Sequence, residues 1–348
     1  MYIIILNWNG WRETLECLAS VFRLKYPDFV VVVCDNGSDD GSLEKIAAWA
    51  NGDERARESR FLAIPQTPDA ARRIPFAKHA RAEAEAGAPA TTRLVLIDNG
   101  ANLGFAGGCN VGLRFALGQA DMAYAWLLNN DAVVDPEALS ALVGTMKRDP
   151  GIGICGSQVR SYDKPNVIQT QGGTLNRWLC TTHSLACGVE VASAPPAPSQ
   201  VDYVPGASML VSRAYLEKVG LMEESYFLYF EEIDWAERGR SSFRLAICPE
   251  SVIYHVGGAS IGTRDEKGER GVRSEYFLLR NRLVFAHRFY RRRLITVYAG
   301  FLASIVSRLA RGQWSRARIA FLALIGRAPA VGTQAPPKRP ASYGSSAD

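Results

Sequence analysis

The chain has 348 residues, 47% of them hydrophobic and 22% charged, with 31 glycines and 17 prolines. That composition excludes a disordered, collagen-like or disulfide-scaffold protein, and the length suits one large domain or two smaller ones with a sizeable core. The net charge of +5 hides a split: from Arg264 to Asp348 there are 17 basic against 5 acidic residues, while the preceding 263 residues carry a net charge of −7.

The first half alternates apolar runs with helical patterns. YIIIL (2–6), FVVVVC (29–34), RLVLI (93–97) and YAWLL (124–128) read as buried strands. WRETLECLASVFRL (11–24), SLEKIAAWA (42–50) and GGCNVGLRFALG (107–118) read as the intervening helices. This rhythm predicts an α/β fold, with a mostly parallel central sheet, right-handed crossovers and helices on both faces. Each strand ends in a polar turn, NWNG, DNGSDDGS, DNGANLGFAGG or NNDAVVD. Ligands in open α/β sheets bind beyond the carboxyl ends of the strands, so the four turns are expected to share one crevice.

Residues 52–92 interrupt the alternation with a charged, Ala- and Pro-rich stretch that reads as an insertion of weak helix and loop. After residue 150 the pattern is mixed. IGICGSQV and ASMLVS look like strands, YLEKVG and EIDWAERGR look helical, and APPAPSQ (194–200) is a Pro-rich loop. The expected organisation is a catalytic domain over 1–273, a basic helical segment over 274–327 and a disordered tail over 328–348.

Two motifs mislead. GIGICG (151–156) has the glycine spacing of a dinucleotide fingerprint, but it follows a helical pattern and runs into a strand, the reverse of what that chemistry needs. Cys180, His183 and Cys187 lack a fourth ligand nearby and are better read as loop and core residues. The seven cysteines are scattered without paired spacing, and no apolar leader precedes the first strand. Both features point to reduced thiols in a cytosolic compartment.

Three clusters carry chemistry. In LLNNDAVVD (127–135) an apolar strand feeds into Asn129, Asn130 and Asp131, which puts a carboxylate at the crevice mouth, where a hard cation such as Mg²⁺ or Mn²⁺ is held by carboxylate and substrate phosphate. Asp135, before Pro136, is better explained as a helix N-cap. In YFEEIDWAERGR (229–240), Glu231, Glu232 and Asp234 crowd beside aromatic residues, an environment that raises a carboxyl pKa toward the range of a general base. An acidic first helical turn, stabilised by the dipole, is the structural alternative. The third cluster is a single side chain: His255 ends a strand just before a Gly-rich loop, the placement of a ligand.

In this order, and together with VPGASMLVSR and LLRNRLVF, these segments resemble the family 2 inverting glycosyltransferases of the GT-A fold, especially their bacterial rhamnosyltransferase-like branch. The resemblance runs from residue 2 to about 290. It implies that Asp131 and His255 hold Mg²⁺ or Mn²⁺, that Glu232 is the base, and that Asn7, Asn9, Asp35, Asn102, Gly104, Asn130 and Asp131 bind the donor. Glu231, Asp234, Trp235, Arg280 and Asn281 are assigned to the acceptor or the diphosphate. Two positions depart from the family pattern: amides replace the first carboxylates of the DxD-like motif, and Glu232 stands where many members carry Asp.

The activity so implied is transfer of rhamnose or a similar sugar from a dTDP- or UDP-sugar to a hydroxyl of a glycan or lipid-linked acceptor in cell-surface polysaccharide synthesis. A sugar-nucleotide nucleotidyltransferase would need a Gly-rich phosphate loop and a Lys after the first strand, where this chain has NWNG. A nucleic-acid-binding protein using the basic tail would leave all three clusters unexplained, so no nucleic-acid partner is expected. About 13 apolar residues precede Arg308, fewer than the roughly 20 that span a bilayer, so the tail is expected to attach peripherally to an anionic cytoplasmic leaflet.

Overall fold

The computed structural model describes residues 1–54, 56, 73–196, 198, 200–257 and 271–329. In chain order the first half builds β1 (Tyr2–Asn7), α1 (Trp11–Val21), β2 (Val30–Asp35), α2 (Ser42–Ala50), β3 (Phe76–Ala80), α3 (Arg81–Glu85), β4 (Leu94–Asp98), α4 (Gly104–Leu117) and β5 (Tyr124–Asn129). The chain continues through β6 (Ala132–Val134), α5 (Ala138–Arg148), β7 (Ile152–Ser161), β8 (Ile168–Thr170), β9 (Gly173–Asn176), β10 (Thr181–Ser184), β11 (Ser208–Ser212), α6 (Arg213–Val219), α7 (Glu231–Gly239) and β12 (Arg244–His255). Three helices close it: α8 (Val272–Phe289), α9 (Leu294–Ala310) and α10 (Trp314–Leu324).

The main sheet runs β3-β4-β2-β1-β5-β11-β7-β12-β6, with β8 added beside β7. β1, β2, β3, β4 and β5 are mutually parallel, and β12 runs parallel to β7. β11, β6 and β8 run antiparallel to their neighbours. The apolar runs are continuous because both faces are covered. Ile3, Ile5, Val31 and Val33 pack under α1, α2 and α5, while Ile4 and Val32 face α4 on the other side. The sheet register places Asn7 beside Asp35, Asp35 beside Asp98, and Leu6 beside Asn129. The polar strand ends therefore form one row along the carboxyl edge, as their spacing in the sequence predicts.

Three expectations need correction. The insertion contains β3, an edge strand parallel to β4, where the sequence suggested weak helix and loop; residues 55 and 57–72 of it lie outside the described residues. FAKHA has no apolar run, because an edge strand is held by its backbone ladder and needs little burial. The helix expected from Gly107 begins at Gly104, where φ is +75°, and a Cβ there would run into the carbonyl oxygen of Phe227. Asp135 is not the N-cap of α5: its carboxylate accepts from the Glu137 N–H, closing the turn that leads into the helix.

The proposed boundary at 273/274 cuts through a shared core. Phe277, Leu279, Leu283 and Phe285 of α8 pack with Tyr226, Phe227, Leu228 and Phe230 as one apolar cluster, joined by Val297 of α9 and Ile319 of α10. Beyond Pro329 the expected disordered tail lies outside the described residues.

Candidate active site

At the floor of the crevice the ends of β1 and β2 are stitched together. Asn7 donates its amide to Asp35 Oδ1 at 2.6 Å, and Asp35 also accepts from the Ser38 hydroxyl and backbone N–H at 2.6 and 2.8 Å. Asn9, at φ +49°, accepts from the Asp39 N–H, while its own N–H donates to Ser38. The Asn7 side chain is fully buried and Asp35 is 2% exposed, so these residues shape the turn from within. Asn130 acts in the same way, donating to the Thr14 hydroxyl at 3.0 Å beneath the β1–α1 turn. Asn102 accepts from the Gly104 N–H, and Asn36 donates to the Gly104 carbonyl, which fixes the start of α4 at the rim.

Above this floor lies a cavity of about 210 Å³ whose walls include Trp8, Phe105, Asn129, Asp131, His255 and Arg273. Asp131 and His255 are 124 residues apart in sequence. They meet because β6, directly after Asp131, pairs with the last residues of β12, His255 lying opposite Ala132. Asp131 Oδ1 stands 3.1 Å from His255 Nε2, and the Asn129 amide lies at the same distance from that nitrogen. On the far side of the ring, Nδ1 is 2.7 Å from Gln169 Oε1 on β8.

An amide oxygen only accepts, so with Gln169 in this orientation Nδ1 carries a proton; a second proton on Nε2 makes the imidazolium that donates to Asp131, and its loss leaves a lone pair facing the carboxylate. Two acceptors at this distance call for a proton or a cation between them. The 3.1 Å separation is that of neighbouring ligands on one small divalent cation, so the pair could hold such an ion. Among the described residues no group of three His, Cys, Asp or Glu side chains could hold a metal. Any ion here would take its remaining ligands from substrate or water. Burial pushes the Asp131 carboxyl up, but the charge and hydrogen bond of His255 outweigh it and hold the group below its ordinary range.

The opposite wall is Phe227, Leu228 and Tyr229 of the YFLYF segment, which leads into α7. Phe227, Tyr229 and Phe230 all have φ between +65° and +77°, a left-handed geometry that costs free energy at non-glycine residues and gathers at functional sites. Asn281 holds this loop: fully buried, it donates to the carbonyls of Tyr226, Leu228 and Tyr229 at 2.8, 2.7 and 3.0 Å.

Four residues expected at the acceptor or diphosphate have partners within the protein instead of lining the cavity. Asn281 is spent on loop carbonyls, and Arg280 turns back to Ser225 and Asn281. Asp234 is fully buried between Arg238, Arg288 and the Tyr226 hydroxyl. Trp235 is also fully buried, its indole N–H on the Gly220 carbonyl and its ring against Tyr215.

The two glutamates at the start of α7 differ from them. Each has a buried Oε2 with no hydrogen-bond partner. Burial and the neighbouring Glu232 charge drive the Glu231 carboxyl far up. Burial raises Glu232 to about 7, against the downward pull of the Glu232 and Phe230 backbone N–H groups. Glu232 also lies close enough to help raise the Tyr203 hydroxyl. Burial thus raises all three carboxyls of the cluster, Asp234 against the pull of its arginines.

Two residues that the sequence reading missed complete the site. Gln169 orients the imidazole from a three-residue strand that has no composition signal. Arg273, in the first turn of α8, lines the cavity with one buried guanidinium nitrogen unpartnered and its charge over the Phe227 ring at 5.0 Å. The one signal for it was its place in the basic stretch that begins at Arg264.

A mostly parallel sheet flanked by helices, with a carboxylate and an imidazole facing each other at its carboxyl edge, is the architecture of the GT-A nucleotide-sugar transferase fold. The sequence profile of glycosyl transferase family 2 matches residues 2–61 and 78–195, and the chain belongs to that family. It is 30% identical over 146 residues to the low-salt glycan biosynthesis hexosyltransferase Agl10 of Haloferax volcanii, a match covering 41% of this chain and 45% of that one. It is 24% identical over 185 residues to the N-acetylglucosaminyl-diphospho-decaprenol L-rhamnosyltransferase of Mycobacterium tuberculosis, covering 48% of this chain and 60% of that one. The chain thus spans about half the length of these curated relatives.

The fold is similar to that of the mannosyltransferase PcManGT of Pyrobaculum calidifontis, solved with GDP-Man and Mn²⁺ (TM-score 0.51, 15% identity, 93% of this chain and 85% of that one). It is also similar to GalNAc-T7 solved with UDP, GalNAc and Mn²⁺ (TM-score 0.57, 13% identity, 86% of this chain and 49% of that one).

Proposed function

We propose that this chain moves a hexosyl group, rhamnosyl or similar, from a dTDP- or UDP-sugar to a hydroxyl of a glycan or lipid-linked acceptor, with inversion at the anomeric carbon. The observation that carries this reading is the facing pair Asp131 and His255, oriented by Gln169, in a cavity that Arg273 also lines. Asp131 and His255 would hold Mg²⁺ or Mn²⁺. When bound, such an ion offsets charge that develops on the departing diphosphate.

The chain's own groups divide the remaining work. The unpartnered Arg273 nitrogen offers a charged hydrogen bond to a phosphate oxygen. Glu232, with a pKa raised to about 7, takes the proton from the acceptor hydroxyl as its oxygen attacks and the nucleoside diphosphate leaves. The buried Asn7, Asp35, Asn36 and Asn130 keep the crevice floor rigid and so hold the reacting groups in register. The mycobacterial relative's name specifies a polyprenyl-diphosphate-linked acceptor, which supports the same class here. Seven free cysteines, six of them buried, support a reducing cytoplasmic setting.

The experiment is a panel of nucleotide sugars screened by thermal unfolding with and without Mn²⁺, followed by turnover on lipid-diphosphate-linked and free glycan acceptors. One nucleotide sugar should raise the melting temperature only with metal and should give a product of inverted anomeric configuration. Retained configuration, or equal protection with metal chelated, would overturn the reading.

A further inference from the structure

The C-terminal helices leave an outer surface that a water-facing helix pair does not explain. Along α9 the exposed positions are Ile295, Ala299, Leu302, Ala303, Val306, Ser307, Leu309 and Ala310, with no charge among them. Ile295 is 85% exposed and Val306 63%. On α10, Trp314, Arg318 and Phe321 follow at helical spacing on one exposed face, continued by Ile325 at its C-cap, with Trp314 at 70%. Trp178, at the tip of the β9–β10 hairpin, extends the strip at its other end: its carbonyl accepts from Thr296 and Arg293 stacks on its ring at 4.6 Å. Of the large exposed apolar side chains among the described residues, all except Trp178 lie at or beyond Val272.

The charges around this strip have one sign. Eleven arginines and no acidic residue lie between Glu275 and Pro329. Several turn inward: Arg288 binds Glu223 and Asp234, while Arg308 and Arg316 share the buried Glu275. Arg291, Arg292, Arg311, Arg318 and Arg327 are exposed at the ends and flank of the apolar face.

We propose that this surface is a lipid-binding face, on which α9 and α10 lie in the plane of an anionic bilayer interface with Trp178 and Trp314 at the headgroup level. Aromatic rims, an uncharged middle and flanking arginines are the composition of that zone. The helix Arg291–Ala310 has 20 residues and is apolar enough to cross a bilayer by length and composition. The count of 13 apolar residues made from the sequence stopped at Arg308, whose charge in fact turns into the protein toward Glu275. Spanning would require α9 to shed its own core contacts, however. Val297 and Phe301 are buried against α8 and α10, and Arg282 lies over the Phe301 ring at 5.6 Å. A second copy of the chain is the other candidate occupant, but arginines flank both helices and a self-complementary contact would bring like charges together.

The face is also placed to matter for catalysis, a consequence that alone rests on the transferase reading. The Arg308–Glu275 pair brings the end of α9 back to the first turn of α8, two residues from Arg273 in the crevice wall. An acceptor anchored in the same leaflet would meet the crevice at the membrane surface.

Flotation of the full chain with phosphatidylcholine vesicles, and with vesicles containing 30% phosphatidylglycerol, tests the proposal. Binding should require the anionic lipid and weaken with salt. Arg311→Ala with Arg318→Ala should weaken it about 30-fold, from roughly a factor of five per arginine near the surface. Val306→Asp with Phe321→Asp should abolish it while the melting temperature holds, since both side chains face out. Thermal protection by nucleotide sugars should be unchanged in every variant, which separates this outcome from failure of the transferase reading. No binding to anionic vesicles at low salt would overturn the proposal. So would wild-type dimers that the aspartate pair converts to monomers without loss of vesicle binding.

Discussion

Two acidic clusters lie at and beside the crevice, the first lining its cavity and the second packed behind the loop that walls it, and they are built in opposite ways. In the LNND turn, Asn130 is tied to Thr14 beneath the β1–α1 turn, and Asp131 lines the cavity beside His255. In the EEID cluster, Asp234 is locked between arginines, Glu231 is turned inward, and Glu232 is left near neutrality by burial. The first cluster keeps its carboxylate charged by giving it a partner. The second keeps a carboxylate reactive by denying it one. A carboxylate that holds a cation must be ionised throughout the cycle, whereas one that takes a proton must ionise near working pH.

The sharpest way to break this contrast is at Asp131. Asp131→Ala leaves the imidazole and Asn129 without the carboxylate, and turnover should fall by about 10³-fold, the scale of several kcal/mol that a cation contributes to a developing charge. A Mn²⁺ titration of initial rates checks it, and a wild-type metal response would remove Asp131 from the ligand set.

Glu232→Gln comes next, with an expected loss of about 10²- to 10³-fold in kcat and little change in donor affinity. In the wild type the rate should rise with pH on a limb centred near 7, because the base works unprotonated. Stability should move the other way. A carboxyl whose folded pKa is raised holds its proton longer than in the unfolded chain, so the folded state loses stability as pH climbs from about 4.5 toward 7. Glu232→Gln should therefore raise the melting temperature at pH 8 more than at pH 5. The same thermal pattern in Glu231→Gln with turnover intact would confirm that Glu231 is structural; loss of turnover there would exchange the two roles.

Gln169→Leu removes the orienting acceptor but no ligand, and metal affinity should fall about 10- to 100-fold with kcat at saturating metal largely restored. Asn281→Ala is the mildest for the chemistry. It leaves three loop carbonyls short of a donor and should cost about 1–3 kcal/mol in denaturant unfolding. A few-fold drop in kcat should accompany it as the left-handed loop relaxes. Unchanged stability would mean that the loop holds its shape without the clamp.

Much of this was legible in the sequence because it is periodic. Apolar runs ending in Asn and Asp locate the strand ends, and Asn7, Asp35 and Asn129 stand where that pattern puts them. What escaped is what pairing alone decides. β3 reads as loop because its stability comes from the ladder with β4. Gln169 reaches His255 across 86 residues through a strand of three residues, a contact that no local composition encodes. Arg273 and Arg280 are two turns apart on α8 and chemically equivalent as letters. One reaches the cavity and the other the Ser225 carbonyl, which depends on where the helix starts relative to the loop. Trp235 and Asp234 lie in the same short motif as Glu231 and Glu232, and their burial comes from the packing of α7 on Tyr215 and α8.

Helix α8 has a mechanical consequence. At about 27 Å it is a strut with three anchors on one wall of the site: Arg273 on Phe227 in its first turn, Asn281 under the loop carbonyls in its middle, and Arg288 on Asp234 in its last. The same strut carries the α9–α10 hairpin through Glu275 and the shared apolar cluster. A slide of one residue's rise, about 1.5 Å, would shift all three anchors together, so a load applied to the hairpin is delivered to the left-handed loop. Shortening the chain within α8 would take away the hairpin and part of the wall in one cut. Only substitutions on the outer face can vary the one while leaving the other in place.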